Sequence, residues 1–403
     1  MAGYATEMQD EINKPIFVVG SPRSGTSILT WCLGQHPNIL VQPESNWLGA
    51  FAVDVAIGHE IGSASGEHSQ LSALSVRRDD FMAHFGKSIN DLILSHLRQF
   101  EVNNRIAALR DSSQVHKGFR IARSQSDPKS RWVDGTPEYS FYICGLRKLF
   151  PGALFIHIVR DVDSVVRSLL NFDRLGEGGL VANEQQAYEK WLSAAECCTQ
   201  AERAYGSQVV YRLQYSDLIN IPESALRSVL KFLGESYVPA CLEPLQERIN
   251  SSNVPASFDA SDPQTDPAVV EKAMQLSAEL EKDSKHVEPS AIATDEMETA
   301  FDQRVRDVSQ LEEEVKTKDL VILRLQKEFD ERTAWALACE EEAKARDLVI
   351  LRLQKEFDER TAWALRLKER VKTKDLVILG LHERLSRRPV EILKRILNGK
   401  SRR

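Results

Sequence analysis

Ile16-Phe17-Val18-Val19-Gly20-Ser21-Pro22-Arg23-Ser24-Gly25-Thr26-Ser27 carries a short apolar run into a polar loop bounded by glycines, and a helical pattern, Ile28 to Leu33, follows at once. Four consecutive apolar residues ahead of a turn read as a strand covered on both faces, as in parallel sheets. Gly20 and Gly25 let the chain turn tightly, so that successive N–H groups point inward at a helix N-terminus and bind an anion. The hydroxyls of Ser24, Thr26 and Ser27 add donors. An ordinary strand-to-helix turn is the plain alternative.

The surroundings agree with an α/β domain. Leu154 to Val159 and Val209 to Tyr211 are further strand-like runs, separated by helical stretches. This alternation predicts a parallel sheet flanked by helices over residues 14–255. The formal net charge of −7 argues against general nucleic-acid binding, so any anion site is local. Cysteines at 32, 144, 197, 198, 241 and 339 show no CxxC spacing and read as reduced core residues. The polar, acidic stretch from Met1 to Asn13 is unlike a signal peptide, and no apolar run approaches the roughly 18 residues of a membrane span. A cytoplasmic protein is expected.

The loop resembles GxxxxGK[ST], but Thr26 stands where the Lys belongs, which argues against ATP or GTP hydrolysis. The basic residue has moved inside the loop, as Arg23 in Pro-Arg-Ser-Gly-Thr. Here the sequence resembles the sulfotransferases that use 3′-phosphoadenosine 5′-phosphosulfate (PAPS), in particular the tyrosylprotein and carbohydrate branch. A second motif points the same way: Phe155 to Val159, then Arg160-Asp161, Ser164 and Ser168. An Arg at a strand end offers a planar fork to a phosphate, and a Ser on the next helix adds a hydroxyl. A local Arg160–Asp161 ion pair is the alternative. Weaker matches are Trp132 to Glu138 and Tyr211 to Leu218.

The resemblance implies a P-loop-like sulfotransferase fold that needs no metal. It assigns Ser21, Pro22, Arg23, Ser24, Gly25, Thr26 and Ser27 to the 5′-phosphosulfate, and Arg160 and Ser168 to the 3′-phosphate. Arg23 would also stabilise charge on the bridging oxygen. Glu44, in Gln42-Pro43-Glu44-Ser45, matches the branch's catalytic base; a surface or capping Glu is the alternative, and His36 is the rival base. The branch's extra Lys is missing, with Gly135 at its position, so either Arg23 acts alone or a cation such as Lys117, Arg120 or Arg123 enters from elsewhere. The second 3′-phosphate element, found in the cytosolic branch, is also missing, and Ser251 and Ser252 are the candidate substitutes. The acceptor is expected to be a hydroxyl or amine, most readily on a glycan or glycolipid. A nucleotide-dependent kinase and a non-enzymatic scaffold are the competing readings.

Beyond this domain, residues 256–298 are rich in Ser, Ala, Asp, Pro and Glu and read as a linker or a weakly helical spacer. Over 299–387, Lys318-Asp319-Leu320-Val321-Ile322-Leu323 returns near residues 346 and 374, about four heptads apart each time. One apolar seam recurs every seventh residue from Val308 to Leu385, while a second alternates Leu with Lys or Arg. This predicts a coiled coil and self-association. The stretch 388–403 is basic, with an apolar stripe at Ile392, Leu393, Ile396 and Leu397, and fits a membrane-surface helix or a solvated tail.

Overall fold

The computed structural model of the chain describes residues 14–110, 130–172, 179–246, 254, 261–282 and 286–398, without the side chains of 97–110, 387–393 and 395–398. The chain divides into two units, Met1–Glu312 and Glu313–Arg403. Within the first unit five strands, β1 (Ile16–Val19), β2 (Ile39–Val41), β3 (Arg131–Asp134), β4 (Leu154–Val159) and β5 (Val210–Gln214), form one sheet in the order β2-β3-β1-β4-β5. Every pairing is parallel, with Ile16 beside both Val133 and Leu154.

All four residues of β1 are buried, because helices cover both sheet faces. The period of two sends Phe17, Val19 and Phe155 to one side. There they meet α2 (Leu48–Ser63), α3 (Arg78–Arg110), α4 (Ile143–Leu149) and α6 (Glu184–Tyr205). Ile16, Val18, Ile156 and Ile158 point to the other side, against α1 (Thr26–Gly34) and α7 (Pro222–Leu233). The helix α5 (Val162–Leu170) packs on α6 beside this core. From β1 the chain crosses to β2 on one flank, and later fills β4 and β5 on the other. That reversal opens a crevice at the carboxyl ends of β1 and β4, where ligands bind in open α/β sheets.

The stretch read as a linker or helical spacer is structured. Helix α8 (Pro267–Glu281) buries Ala273, Ser277 and Leu280, and its apolar side packs beside Ala187 and Trp191 of α6. Small residues at i and i+4 let the two helices approach closely, so few large side chains are needed. Helix α9 (Ala291–Asn398) also begins inside the expected linker. Its Ala293, Met297, Phe301 and Val305, four residues apart, are buried in the first core. The first unit therefore reaches Glu312, past the boundary drawn at 298. No helix among the described residues is long and apolar enough to cross a membrane. The apolar stripe assigned to the basic tail lies outside the described side chains.

A buried charged cluster crosses from the sheet to α6. Glu202 receives both Nε and Nη2 of Arg212, and its Oε1 lies 2.6 Å from Nδ1 of His157. Burial alone would raise the Glu202 carboxyl, but His157 and Arg212 outweigh it and hold the group down at about 2. A carboxyl lowered by folding stabilises the fold above its unfolded value of 4.5 and ceases to do so as pH falls towards 2. Glu202→Gln is expected to cost about 3–5 kcal/mol at pH 7 by leaving Arg212 uncompensated. Denaturant titrations should show that deficit shrinking between pH 4.5 and 2.

Candidate active site

The loop from Gly20 to Gly25 turns sharply between the end of β1 and α1. Gly25 sits at φ 105°, and a Cβ there would come within 2.6 Å of the Tyr215 ring. Arg23 also lies in the left-handed region, at φ 72°, which disfavours a side chain. Two contacts hold it there: Arg160 donates through Nη1 to the Arg23 carbonyl at 3.1 Å, and Arg23 Nε donates to Ser168 Oγ at 3.1 Å. Its guanidinium stands 4.7 Å over the Phe172 ring, while that of Arg160 stands 4.7 Å over Tyr215.

The two sequence motifs, separated by more than a hundred residues, thus meet at the ends of β1 and β4. Asp161 does not pair with Arg160 as the alternative reading had it. It caps α5, accepting from Ser164 N at 2.8 Å, which turns Ser168 one helix turn later towards Arg23. Ser21, Pro22, Ser24 and Thr26 are buried around the loop, whereas Ser27 is only partly buried. No side chain caps the N-terminus of α1, and its first turn holds no acid. Its free N–H groups and the positive end of the helix dipole favour an anion.

Ser27 Oγ donates to Glu44 Oε1 at 3.3 Å, so Glu44 stands beside the same helix start. Its position is set by a buried polar cluster that motif reading did not find. Asp134, the last residue of β3, accepts from Ser45 Oγ at 2.7 Å and Gln42 Nε2 at 3.0 Å. Its other oxygen accepts from the N–H and hydroxyl of Thr136 at 2.9 and 2.7 Å. Thr136 Oγ1 in turn accepts from Ser45 N at 3.0 Å, and the Tyr139 hydroxyl contacts Ser45 Oγ and accepts from Leu48 N. Burial raises the Asp134 carboxyl despite these bonds, and burial with the neighbouring Asp134 pushes the Tyr139 hydroxyl up to about 12. The strap on either side of Glu44 is thereby pinned. A run of Asp, Thr, Tyr and Ser at a strand end was the available signal.

His36 is not placed as a base. It is buried, its Nδ1 accepts from Asn38 N at 3.1 Å, and its Nε2 lies 3.0 Å from the Ser236 carbonyl, so both ring nitrogens serve a turn. The position of the missing Lys is closed, since a Cβ on Gly135 would fall 2.2 Å from Thr30 Oγ1. Lys117, Arg120, Arg123, Ser251 and Ser252 lie outside the described residues.

These features define an α/β domain that gathers a glycine-bounded loop, two guanidiniums and a carboxylate at the ends of two neighbouring parallel strands. Residues 15–239 match the Sulfotransferase family, and the chain belongs to that family. It is similar to a protein-tyrosine sulfotransferase of Drosophila melanogaster, 25% identical over 60% of this chain and 42% of that protein. Protein-tyrosine sulfotransferase A of Caenorhabditis elegans is 23% identical over 60% of this chain and 57% of that protein. The chain thus spans about half the length of these relatives. Among solved structures, sulfotransferase STF9 from Mycobacterium avium shares 17% identity over 72% of this chain and 82% of that one, with a TM-score of 0.37. The sulfotransferase domain from the curacin biosynthetic pathway shares 17% over 72% of this chain and 98% of that one, with a TM-score of 0.33.

Asp134→Ala strips the shared acceptor from Ser45, Thr136 and Gln42. A loss of about 3 kcal/mol in denaturant unfolding is expected, since buried donors left unpaired cost about 1–3 kcal/mol each.

Proposed function

We propose that this sulfotransferase takes its sulfuryl group from PAPS and gives it to a hydroxyl of a carbohydrate. The observation that carries the donor assignment is the meeting of Arg23, Arg160 and Ser168 over the uncapped start of α1. The donor set suits a nucleotide with phosphate at two places: one helix N-terminus ringed by hydroxyls, and two guanidiniums from different strand ends. PAPS, when bound, supplies a sulfuryl group already activated on a phosphosulfate.

The chain's own residues do the rest. The N–H groups of the loop, with Ser24, Thr26 and Ser27 hydroxyls, bind the 5′ end; Ser21 and Pro22 shape the turn. Arg23 places positive charge where the departing oxygen gains negative charge. Arg160 and Ser168 hold the 3′-phosphate. Glu44 takes the acceptor proton, and the Asp134 cluster keeps its strap still so that acceptor and base stay aligned.

For the acceptor, the support is an aromatic shelf that starts three residues past Glu44. Trp47 packs on Phe51 at 5.5 Å and Phe51 on Phe85 at 6.5 Å, and Trp47 and Phe85 remain 42% and 41% exposed. A partly exposed aromatic cluster of this kind, its rings packed edge to face, offers ring faces and edges on which the apolar face of a sugar can rest. The tyrosyl ring of a protein is the second reading, favoured by the names of the two relatives.

Calorimetry tests the donor. Wild type should bind 3′,5′-adenosine bisphosphate, Arg160→Ala should bind it at least tenfold more weakly, and Glu44→Gln should bind it as wild type does while kcat falls about 10²–10⁴-fold. Binding of ATP with Mg²⁺ in place of the bisphosphate would move the assignment to a kinase. Trp47→Ala should raise KM for a glycan acceptor; turnover of a tyrosyl peptide alone selects the second reading.

A further inference from the structure

The second unit, taken by itself, is a helix with its apolar side chains in solvent. Val315, Ile322, Ile350, Val371 and Ile378 are each 50–54% exposed, and Leu325, Leu353 and Leu381 are 51–57% exposed. The same seam is covered earlier in α9, where Phe301 is buried and Val308 is half-buried against the first core. The seam therefore continues, without interruption, beyond the part its own chain covers.

We infer that a second copy of this chain covers it, in a parallel, in-register, two-stranded coiled coil. Three features of the sequence choose this occupant. The first is the pairing of residue types: β-branched Val or Ile fills six of the twelve a positions from Val308 to Leu385, and Leu fills five of the eleven d positions from Leu311 to Leu381, the combination that favours two parallel strands. The second is charge. Lys318, Arg346 and Lys374 occupy d positions, and each is followed at e by an aspartate, Asp319, Asp347 and Asp375. In parallel strands a d side chain packs into a hole that includes the partner's e residue, so each of these three cations meets an anion of the other copy, while Arg332 and Arg360, the other d cations, are followed by Thr333 and Thr361. Antiparallel strands would set the cations against the a residues, all of them apolar from Val308 to Leu385. The third is repetition: Asp319 to Leu337 returns letter for letter as Asp347 to Leu365, so one copy presents the same surface twice, 28 residues apart. A shift by one repeat keeps most contacts locally but shortens the overlap by four heptads. The full register therefore wins on length.

Cys339 makes the register readable. The d positions at 311, 325, 353, 367 and 381 hold Leu, and the one slot of that series left over, at 339, holds an exposed Cys. In register, Cys339 faces Cys339 of the second copy; shifted by one repeat, it faces Leu311 or Leu367.

Light scattering on the full chain should give twice the 45.5 kDa of one chain. Treatment with diamide, which takes two electrons and two protons from the thiol pair, should give a disulfide-linked dimer that Cys339→Ser abolishes. The triple change Ile322→Lys, Ile350→Lys, Ile378→Lys should return the one-chain mass while the cooperative thermal transition of the first unit persists. A one-chain mass or a higher multiple for the wild type overturns the two-stranded assignment. A dimer without the Cys339 disulfide overturns the register, and a triple variant that stays dimeric overturns the seam.

Discussion

The hydrogen bond from Arg160 to the carbonyl of Arg23 joins the end of β4 to the loop after β1, and the site depends on that junction. A non-glycine residue at positive φ is held only where its surroundings over-determine it. Here the surroundings are a guanidinium on its carbonyl, a serine on its side chain and an aromatic ring under its cation. Arg160 is itself braced by Tyr215, whose ring lies so close to the loop that Gly25 has no room for a Cβ. The phosphate loop, the end of β4 and the start of the segment after β5 are thus fitted to one another as a set.

Two buried polar clusters flank this junction, one on each side of β1. On the β3 side, Asp134 gathers the strap that carries Glu44; on the β4 side, Glu202 gathers His157 and Arg212. Burial opposes ionisation of both carboxyls, yet only Glu202 ends below its ordinary value, because His157 and then the Arg212 guanidinium outweigh burial. Asp134 accepts from the neutral donors Ser45, Gln42 and Thr136, and burial leaves its carboxyl raised. The difference follows from their partners: hydroxyls, backbone N–H groups and the Gln42 amide order the strap around Glu44 through Asp134, whereas the Glu202 cluster joins α6 to the sheet.

What could be read from the sequence follows from how far apart the cooperating residues are. The loop and the Arg160–Ser168 element are each local, so the spacing of Gly, Arg and Ser carried their geometry directly. The Asp134 cluster joins positions some ninety residues apart, and no local pattern binds Ser45 to Tyr139. His36 looked like a base because its type suits one, but only the fold shows both its nitrogens occupied. The packing of α8, within the stretch read as a linker or helical spacer, was not legible for another reason. Composition counts large apolar residues, while α8 packs with Ala273 and Ser277, whose value lies in their small size.

The long helix α9 shows the limit of treating domain and coil as separate pieces. Its buried Met297 and Phe301 and half-buried Val308 keep step with the heptads that follow, so one continuous seam first closes the core of the first unit and then runs on exposed. A seam of this kind has the same physical requirement along its whole length, since apolar surface left in water is costly wherever it lies. The first unit satisfies that requirement as far as Val308. Beyond it, only a surface with the same seven-residue period can do so, and the chain itself supplies one.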